Sequence, residues 1–124
     1  MRDVLFVAAG GAIGAALRYV VGLSITARTG ESFPWHTLAI NLVGAFLIGV
    51  LLALPWTGMD SGASWRLFLV TGILGGFTTF STLSHESVEL VAQGRAFAGL
   101  ANMFGSGALG LGLAWLGLMT GRLF

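Results

Sequence analysis

The densest group of polar residues lies inside an otherwise apolar stretch of the sequence. Two adjacent glycines, Gly75 and Gly76, disfavour a continuous helix, and a break there would free backbone carbonyls that can bind a cation. Five hydroxyl residues follow within seven positions, namely Thr78, Thr79, Ser81, Thr82 and Ser84. At helical spacing such hydroxyls can form a polar track for a dehydrating ion. The alternative is that they bond back to carbonyls of their own helix.

Two faces are predicted for the helix that carries these hydroxyls. Thr79, Thr82 and Glu86 share one face, whereas Phe80 and Leu83 share another. Polar groups that are buried without a partner are costly in an apolar medium. The polar face is therefore expected to line a pathway or to meet another polar helix.

An arginine interrupts the first apolar stretch. Gly10 and Gly14 form a small-residue face suited to close helix contact, and Arg18 lies one turn further along the same face. One interpretation is that Arg18 snorkels to the membrane interface. The other is that it provides a fixed positive charge at a vestibule, where it would attract an anion.

Two asparagines in the apolar stretches each lie one helical turn from a hydroxyl residue. Thr37 and Asn41 are four residues apart, and so are Asn102 and Ser106. The Asn41 amide has two N–H donors and can coordinate an anion without bringing a counter-charge, although it can also tie helices together. Asn102 and Ser106 are expected either to meet the polar track or to serve packing.

The residue types of a catalytic triad are present but badly placed. Ser81 or Ser84 would have to act with His85 and Glu86, which are neighbours on a helix and point in different directions. No Gly-x-Ser-x-Gly turn accompanies them, and His85-Glu86 lacks the second histidine of a zinc motif. We therefore expect that the protein is not an enzyme.

The composition indicates the class of protein to which these residues belong. Of 124 residues, 56% are hydrophobic and 9% are charged, and the mean hydropathy is +0.90. A soluble chain of this size needs far more polar surface, and a nucleic-acid binder needs a dense basic patch, whereas the net charge is +1. The sequence thus predicts a protein that a lipid bilayer solvates and that binds no nucleic acid.

Four apolar stretches are long enough to cross a bilayer. They predict an all-α integral membrane protein in which residues 1–124 form one domain, with helices at about 4–27, 35–54, 65–93 and 96–121. Pro34 and Pro55 bracket the second helix, as proline fits poorly inside one. The first stretch is longer than the apolar core of a typical signal peptide, so cleavage is not expected.

The arginines outside the membrane give little preference for one orientation. The connection Pro55–Ser64 and the two termini share one side with three arginines, and the connections Arg28–Pro34 and Gly94–Arg95 carry two on the other. Either subtler signals choose one orientation, or copies insert both ways and pair antiparallel. Because four crossings seldom enclose a polar path alone, an oligomer is expected in either case.

Three segments together resemble the Fluc (CrcB) family of fluoride channels. They are residues 10–19, residues 37–44 and residues 71–86, the last containing Gly-Gly-x-Thr-Thr-Phe-Ser-Thr. The resemblance implies an antiparallel, dual-topology homodimer in the cell membrane, with two pores that export fluoride passively and lower cytoplasmic fluoride. It also implies a structural Na⁺ on the dimer axis, held by the backbone carbonyls of Gly75 and Thr78.

The same resemblance implies roles for individual residues. Asn41 matches the pore asparagine, Phe80 the first pore phenylalanine and Arg18 the vestibule arginine. Thr79, Ser81 and Thr82 fall in the hydroxyl-rich segment of the fluoride pathway. Further pore or packing positions are Thr37, Ser84, Glu86, Asn102 and Ser106.

Two positions depart from the family's pattern. Leu83 stands where the family has a second pore phenylalanine, and His36 stands where glycine commonly precedes the Thr-Leu pair. The main alternative function is a small proton-coupled multidrug exporter, which is similar in size and topology. That mechanism requires a carboxylate deep in a helix that lines the substrate chamber. The first helix has none, and Glu86 lies near the end of the third.

Overall fold

The structure is a computed structural model that describes residues 1–56 and 62–124. Within these residues, four helical stretches are long and apolar enough to cross a membrane. Residues 57–61, part of the predicted connection Pro55–Ser64, lie outside the described residues. The elements are α1 (Arg2–Thr29), α2 (Trp35–Ala53), α3 (Gly62–Arg66), a π-helical segment (Leu67–Leu74), α4 (Gly75–Phe77), α5 (Phe80–Ala92) and α6 (Ala96–Gly121).

The third span, from Gly62 to Ala92, is interrupted, as the sequence predicted. The predicted position of the break, at Gly75-Gly76, is wrong. Gly75 has helical angles, φ −63° and ψ −37°, and the helix continues to Phe77. The chain becomes extended only at Thr78, with ψ 156°, and Thr79, with φ −153° and ψ 117°.

Packing against α1 explains why the paired glycines do not form the break. A Cβ atom on Gly76 would lie 2.6 Å from the carbonyl oxygen of Gly11 and 3.1 Å from the amide nitrogen of Ala15. Gly76 is therefore small because the two backbones touch there. Its helical conformation is retained, and the interruption moves to the threonines that follow.

The π-helical segment packs along α1, and nothing in the sequence predicted its wider turn. The predicted close contact at Gly10 and Gly14 is confirmed on this surface. A Cβ on Gly10 would lie 2.9 Å from the Gly72 Cα, and one on Gly14 would lie 2.9 Å from the Phe77 amide nitrogen. These contacts fix the third span against α1 just before its break.

A second glycine seam joins α2 to α6. A Cβ on Gly49 would lie 2.8 Å from the Leu118 amide nitrogen, and one on Gly117 would lie 3.1 Å from that of Val50. Without a hydrophobic drive between helices in lipid, close backbone packing of this kind provides much of the association energy. One glycine seam therefore pairs α1 with the first half of the third span, and the other pairs α2 with α6.

Few large apolar side chains are buried inside the described part of the chain. Those that are buried are Ile40, Leu74, Leu83 and Leu90. Most others face outward, including Phe80, Phe104, Leu111 and Trp115. A membrane or a second protein surface must cover this apolar exterior.

The α1 seam gives a stability prediction. Gly14→Ala should destabilise the protein by about 1–3 kcal/mol, because the added methyl overlaps the backbone of Ile73. Gly11→Ala is the matched control, since its added methyl meets nothing within 4 Å. Thermal unfolding in detergent measures both. Equal stability of the two variants would contradict the close α1 contact.

Candidate functional site

The break in the third span is held by one side chain from α2. Asn41 Oδ1 accepts the backbone N–H of Thr79 at 2.8 Å, and Asn41 Nδ2 donates to the Thr79 carbonyl at 3.0 Å. Both backbone groups of an extended residue are thereby satisfied inside a membrane span. Asn41 therefore does tie two helices together, as one interpretation proposed. Its amide has two N–H donors, and this pair uses one of them.

Three of the predicted track hydroxyls gather where α5 begins. Thr79 is the N-cap residue of α5, and its Oγ1 accepts the Thr82 backbone N–H at 3.3 Å. The same hydroxyl donates to Thr82 Oγ1 at 3.0 Å and lies 3.4 Å from Ser81 Oγ. The structure thus brings Thr79, Ser81 and Thr82 together.

Two other hydroxyls bond back to their own helix. Thr78 Oγ1 donates to the Leu74 carbonyl and Ser84 Oγ to the Phe80 carbonyl, each at 2.9 Å. For Thr78 and Ser84 the local alternative is therefore the one observed.

The break also withdraws the usual helical donors from two carbonyls. Thr79 N–H, which would bond Gly75 in a continuous helix, donates to Asn41. Thr82 N–H, which would bond Thr78, donates to the Thr79 hydroxyl. The carbonyls of Gly75 and Thr78 are the pair assigned to Na⁺, and carbonyl oxygens suit a hard cation. The residues present fit that ion.

Two grooves flank the break. The first, which we call the Arg18 groove, has a volume of about 470 Å³ and is lined by Arg18, Tyr19, Gly22, His36, Thr37, Thr79 and Thr82, among others. The second, the Phe80 groove, has a volume of about 740 Å³ and is lined by Asn41, Gly75, Thr78, Thr79, Phe80, Leu83, Phe104 and Ser106, among others. Thr79 lines both. The predicted separation of a polar face from a Phe80 and Leu83 face therefore holds for Thr82, which lines the Arg18 groove, but not for Thr79.

Phe80 and Leu83 differ in exposure within the Phe80 groove. Phe80 is 70% exposed and presents its ring to the open groove, whereas Leu83 is 6% exposed. An aromatic ring has a positive edge, which an aliphatic side chain lacks. Phe80 therefore offers a positive ring edge directly after the break, and Phe104 of α6 is a second exposed ring that lines the same groove.

A carboxylate contacts two of the residues that line the Arg18 groove, Thr37 and His36. Glu86 Oε1 accepts a hydrogen bond from Thr37 Oγ1 at 2.8 Å and lies 3.1 Å from His36 Nε2. Glu86 Oε2 is buried and has no hydrogen-bond partner among the described residues. The predicted positions Thr37 and Glu86 therefore meet, and His36, to which the sequence assigned no role, joins them. Nothing in the sequence pairs residues so far apart.

The two polar residues of α6 take different positions. Asn102 is 1% exposed, and its Nδ2 donates to Ser87 Oγ at 3.0 Å, so it joins α6 to α5 away from the hydroxyls of the break. Ser106 lines the Phe80 groove. Ser87 was missed in the sequence, although it lies one turn after Leu83 on the face that meets α6.

Comparison with known proteins places this arrangement in a family. Residues 5–118 match the family model described as CrcB-like protein, Camphor Resistance (CrcB). A Thermus thermophilus protein named fluoride-specific ion channel FluC is 49% identical over 98% of this chain and 96% of its own length. Proteins of the same name from Rhizobium meliloti and Geobacter sulfurreducens are 43% and 41% identical, each over 98% of this chain and over 94% and 98% of their own lengths. The chain belongs to the CrcB-like family.

Proposed function

We propose that this protein is a fluoride channel that lets fluoride leave the cytoplasm passively across the cell membrane. The observation that carries the proposal is the broken third span, where Asn41, the Thr79 hydroxyl and the Phe80 ring lie around one interruption. The relatives named as fluoride-specific ion channels over nearly the whole length of this chain support it.

The physical demands of fluoride suit these groups. Fluoride is small and strongly hydrated, so a pore must replace its water with hydrogen-bond donors and positive edges. The hydroxyls of Thr79, Ser81 and Thr82 and the remaining Asn41 N–H can donate, and the Phe80 ring edge adds a weak positive field. Arg18 lines the adjoining groove, where a fixed positive charge favours anion entry.

The assembly that we propose is an antiparallel homodimer of dual topology. A single chain leaves the apolar Phe80 groove open, with Phe80 and Phe104 70% and 71% exposed beside the polar Asn41. A second copy would cover this surface and close a path along it. The three-to-two distribution of arginines gives little orientation bias, so both orientations are compatible with insertion.

We propose further that Na⁺ stabilises this dimer. The carbonyls of Gly75 and Thr78 have lost their helical donors, and both residues line the Phe80 groove that the second copy would cover. When bound, Na⁺ would supply positive charge that holds carbonyl oxygens of both copies together. The Thr78 hydroxyl is not required as a ligand, since it donates to Leu74.

The direct test of the function is fluoride efflux from liposomes, followed with a fluoride electrode. Purified protein should release trapped fluoride rapidly and without a proton gradient. The same liposomes should be assayed for uptake of fluorescent organic cations driven by a proton gradient. Cation uptake without fluoride efflux would replace this proposal with the multidrug exporter.

The residues at the break give a first prediction on flux. Phe80→Ile should abolish conduction, because the ring edge directly after the break is lost and neither the aliphatic Leu83 nor Phe104 on α6 occupies that position. Asn41→Asp should also stop flux, since it replaces N–H donors by negative charge and sets an oxygen against the Thr79 carbonyl. Leu83→Phe is the control and should leave flux intact or raise it.

Flux and dimer assembly must be measured together in these variants. Asn41→Asp is expected to weaken the break as well as the path, whereas Phe80 makes no hydrogen bond through its side chain. Normal fluoride efflux from well-assembled Phe80→Ile and Asn41→Asp dimers would place the pore elsewhere.

Dual topology gives a second prediction. Two lysines added to the connection Pro55–Ser64 should bias insertion and abolish activity when that variant is expressed alone. Activity should return on co-expression with a variant that carries two added lysines in the connection Arg28–Pro34. Full activity of either biased variant by itself would contradict the antiparallel dimer.

Sodium gives a third prediction. Replacing Na⁺ by a large organic cation throughout purification should reduce both the dimer fraction and the fluoride efflux, and returning Na⁺ should restore them. Thr78→Val should keep the same sodium dependence, because the hydroxyl is not a proposed ligand and a methyl still packs on Gly44. Sodium-independent dimers with full efflux would contradict the site.

A further inference from the structure

His36 lies between two surfaces of opposite character at one end of the protein. On one side is the Arg18 groove. On the other is a groove of about 450 Å³ that contains the carboxylates of Glu31, Glu86 and Glu89, which we call the acidic groove. His36 lines both grooves. The same end also carries two arginines, Arg28 in the last turn of α1 and Arg95, which donates to the Ser32 carbonyl beside Glu31.

The imidazole of His36 lies between Glu86 of α5 and the Gly22 position of α1. Its Nε2 lies 3.1 Å from Glu86 Oε1, and a Cβ on Gly22 of α1 would lie 3.7 Å from its Cδ2. Gly22 lies one turn beyond Arg18, so the ring rests on the face of α1 that carries the arginine. The His36 side chain is still 31% exposed and can exchange protons with water in the grooves.

The Glu86 carboxylate is only partly compensated without a charge on His36. Thr37 donates one hydrogen bond to Oε1, while the buried Oε2 has no partner among the described residues. A neutral imidazole that donates through Nε2 gives a hydrogen bond but no charge, whereas an imidazolium gives both. Protonation of His36 therefore makes the net charge of the region between the Arg18 groove and the acidic groove, which we call the mouth, less negative by one unit.

We propose that His36 is a positioning residue that balances the charge of Glu86 and so makes fluoride entry faster when it is protonated. The inference rests on the proposed fluoride channel. The test of this charge balance is whether fluoride entry depends on pH and on the charge carried at position 36. One unit charge beside the path changes the local anion concentration about three- to tenfold.

Other charged groups face the same mouth and must be separated from His36. They are Arg18 and Arg28 on α1, Glu31 before α2, Glu86 and Glu89 on α5, the exposed His85 beside Glu89, and Arg95, which donates to the Ser32 carbonyl. His85 provides the matched control, because it is the only other histidine in the sequence. Its side chain is 77% exposed and its Nε2 lies 3.9 Å from Glu89 Oε2, so it shares the end of the molecule but not the contact with Glu86 Oε1.

The experiment measures initial fluoride efflux from liposomes at equal internal and external pH, at about pH 5.5 and 8. Protein-free liposomes provide the background leak of the protonated acid at each pH. Wild-type efflux should be about three- to tenfold faster at the lower pH. His85→Gln should retain this dependence.

Two variants of His36 should abolish the dependence in opposite ways. His36→Gln keeps a hydrogen-bond donor but no titratable charge, so efflux should stay near the slow wild-type rate at both pH values. His36→Arg carries a permanent charge and should stay near the fast rate at both. If His36→Gln fails to assemble, the inference is tested by the other two variants: His36→Arg should lose the pH dependence and His85→Gln should keep it.

Several results would overturn the inference. A flat wild-type profile, or a His36→Arg profile as steep as that of the wild type, would show that His36 does not set entry. Loss of the dependence in His85→Gln would assign it to the exposed histidine. If the wild type shows no fluoride efflux at both pH values, the proposed function is overturned and this inference with it. The two failures are therefore distinguishable.

Discussion

A backbone that leaves the helix inside a membrane must find partners for its N–H and C=O groups within the protein. At Thr79 both groups bond to the amide of Asn41, and the Thr79 hydroxyl caps the helix that follows. The hydrocarbon core of a membrane contains no water that could bond these backbone groups. The Asn41 side chain from α2 therefore makes the interruption possible. The hydroxyls, the freed carbonyls and the Phe80 ring all take their positions from it.

The glycine seams are the second condition for this arrangement. Gly10, Gly14 and Gly76 allow α1 and the third span to touch along their backbones, and Gly49 and Gly117 do the same for α2 and α6. Close packing of this kind needs few buried apolar side chains. The large apolar residues consequently face outward, where lipid and the proposed second copy would cover them.

Much of the fold was readable from local pattern, and the exceptions depend on contacts between distant residues. Apolar length predicted the four spans, and spacing predicted both the contact at Gly10 and Gly14 and the separation of Thr82 from Phe80 on α5. The break was placed at Gly75-Gly76 because glycine weakens a helix, but packing on α1 keeps those residues helical. The meeting of His36 with Glu86 and of Ser87 with Asn102 has no signature in either segment alone.

The central claim is that fluoride passes beside the interruption held by Asn41. Solid-state NMR of the reconstituted protein, with ¹³C in the phenylalanine rings and ¹⁹F as the permeant ion, measures this proximity directly. The account predicts a ring-carbon signal dephased by ¹⁹F in the wild type that disappears in Phe80→Ile while the other ring signals are unchanged. A wild-type protein with no dephased ring carbon, or one whose dephased signals are all unchanged in Phe80→Ile, would show that the ion does not pass beside Phe80 and would contradict the account.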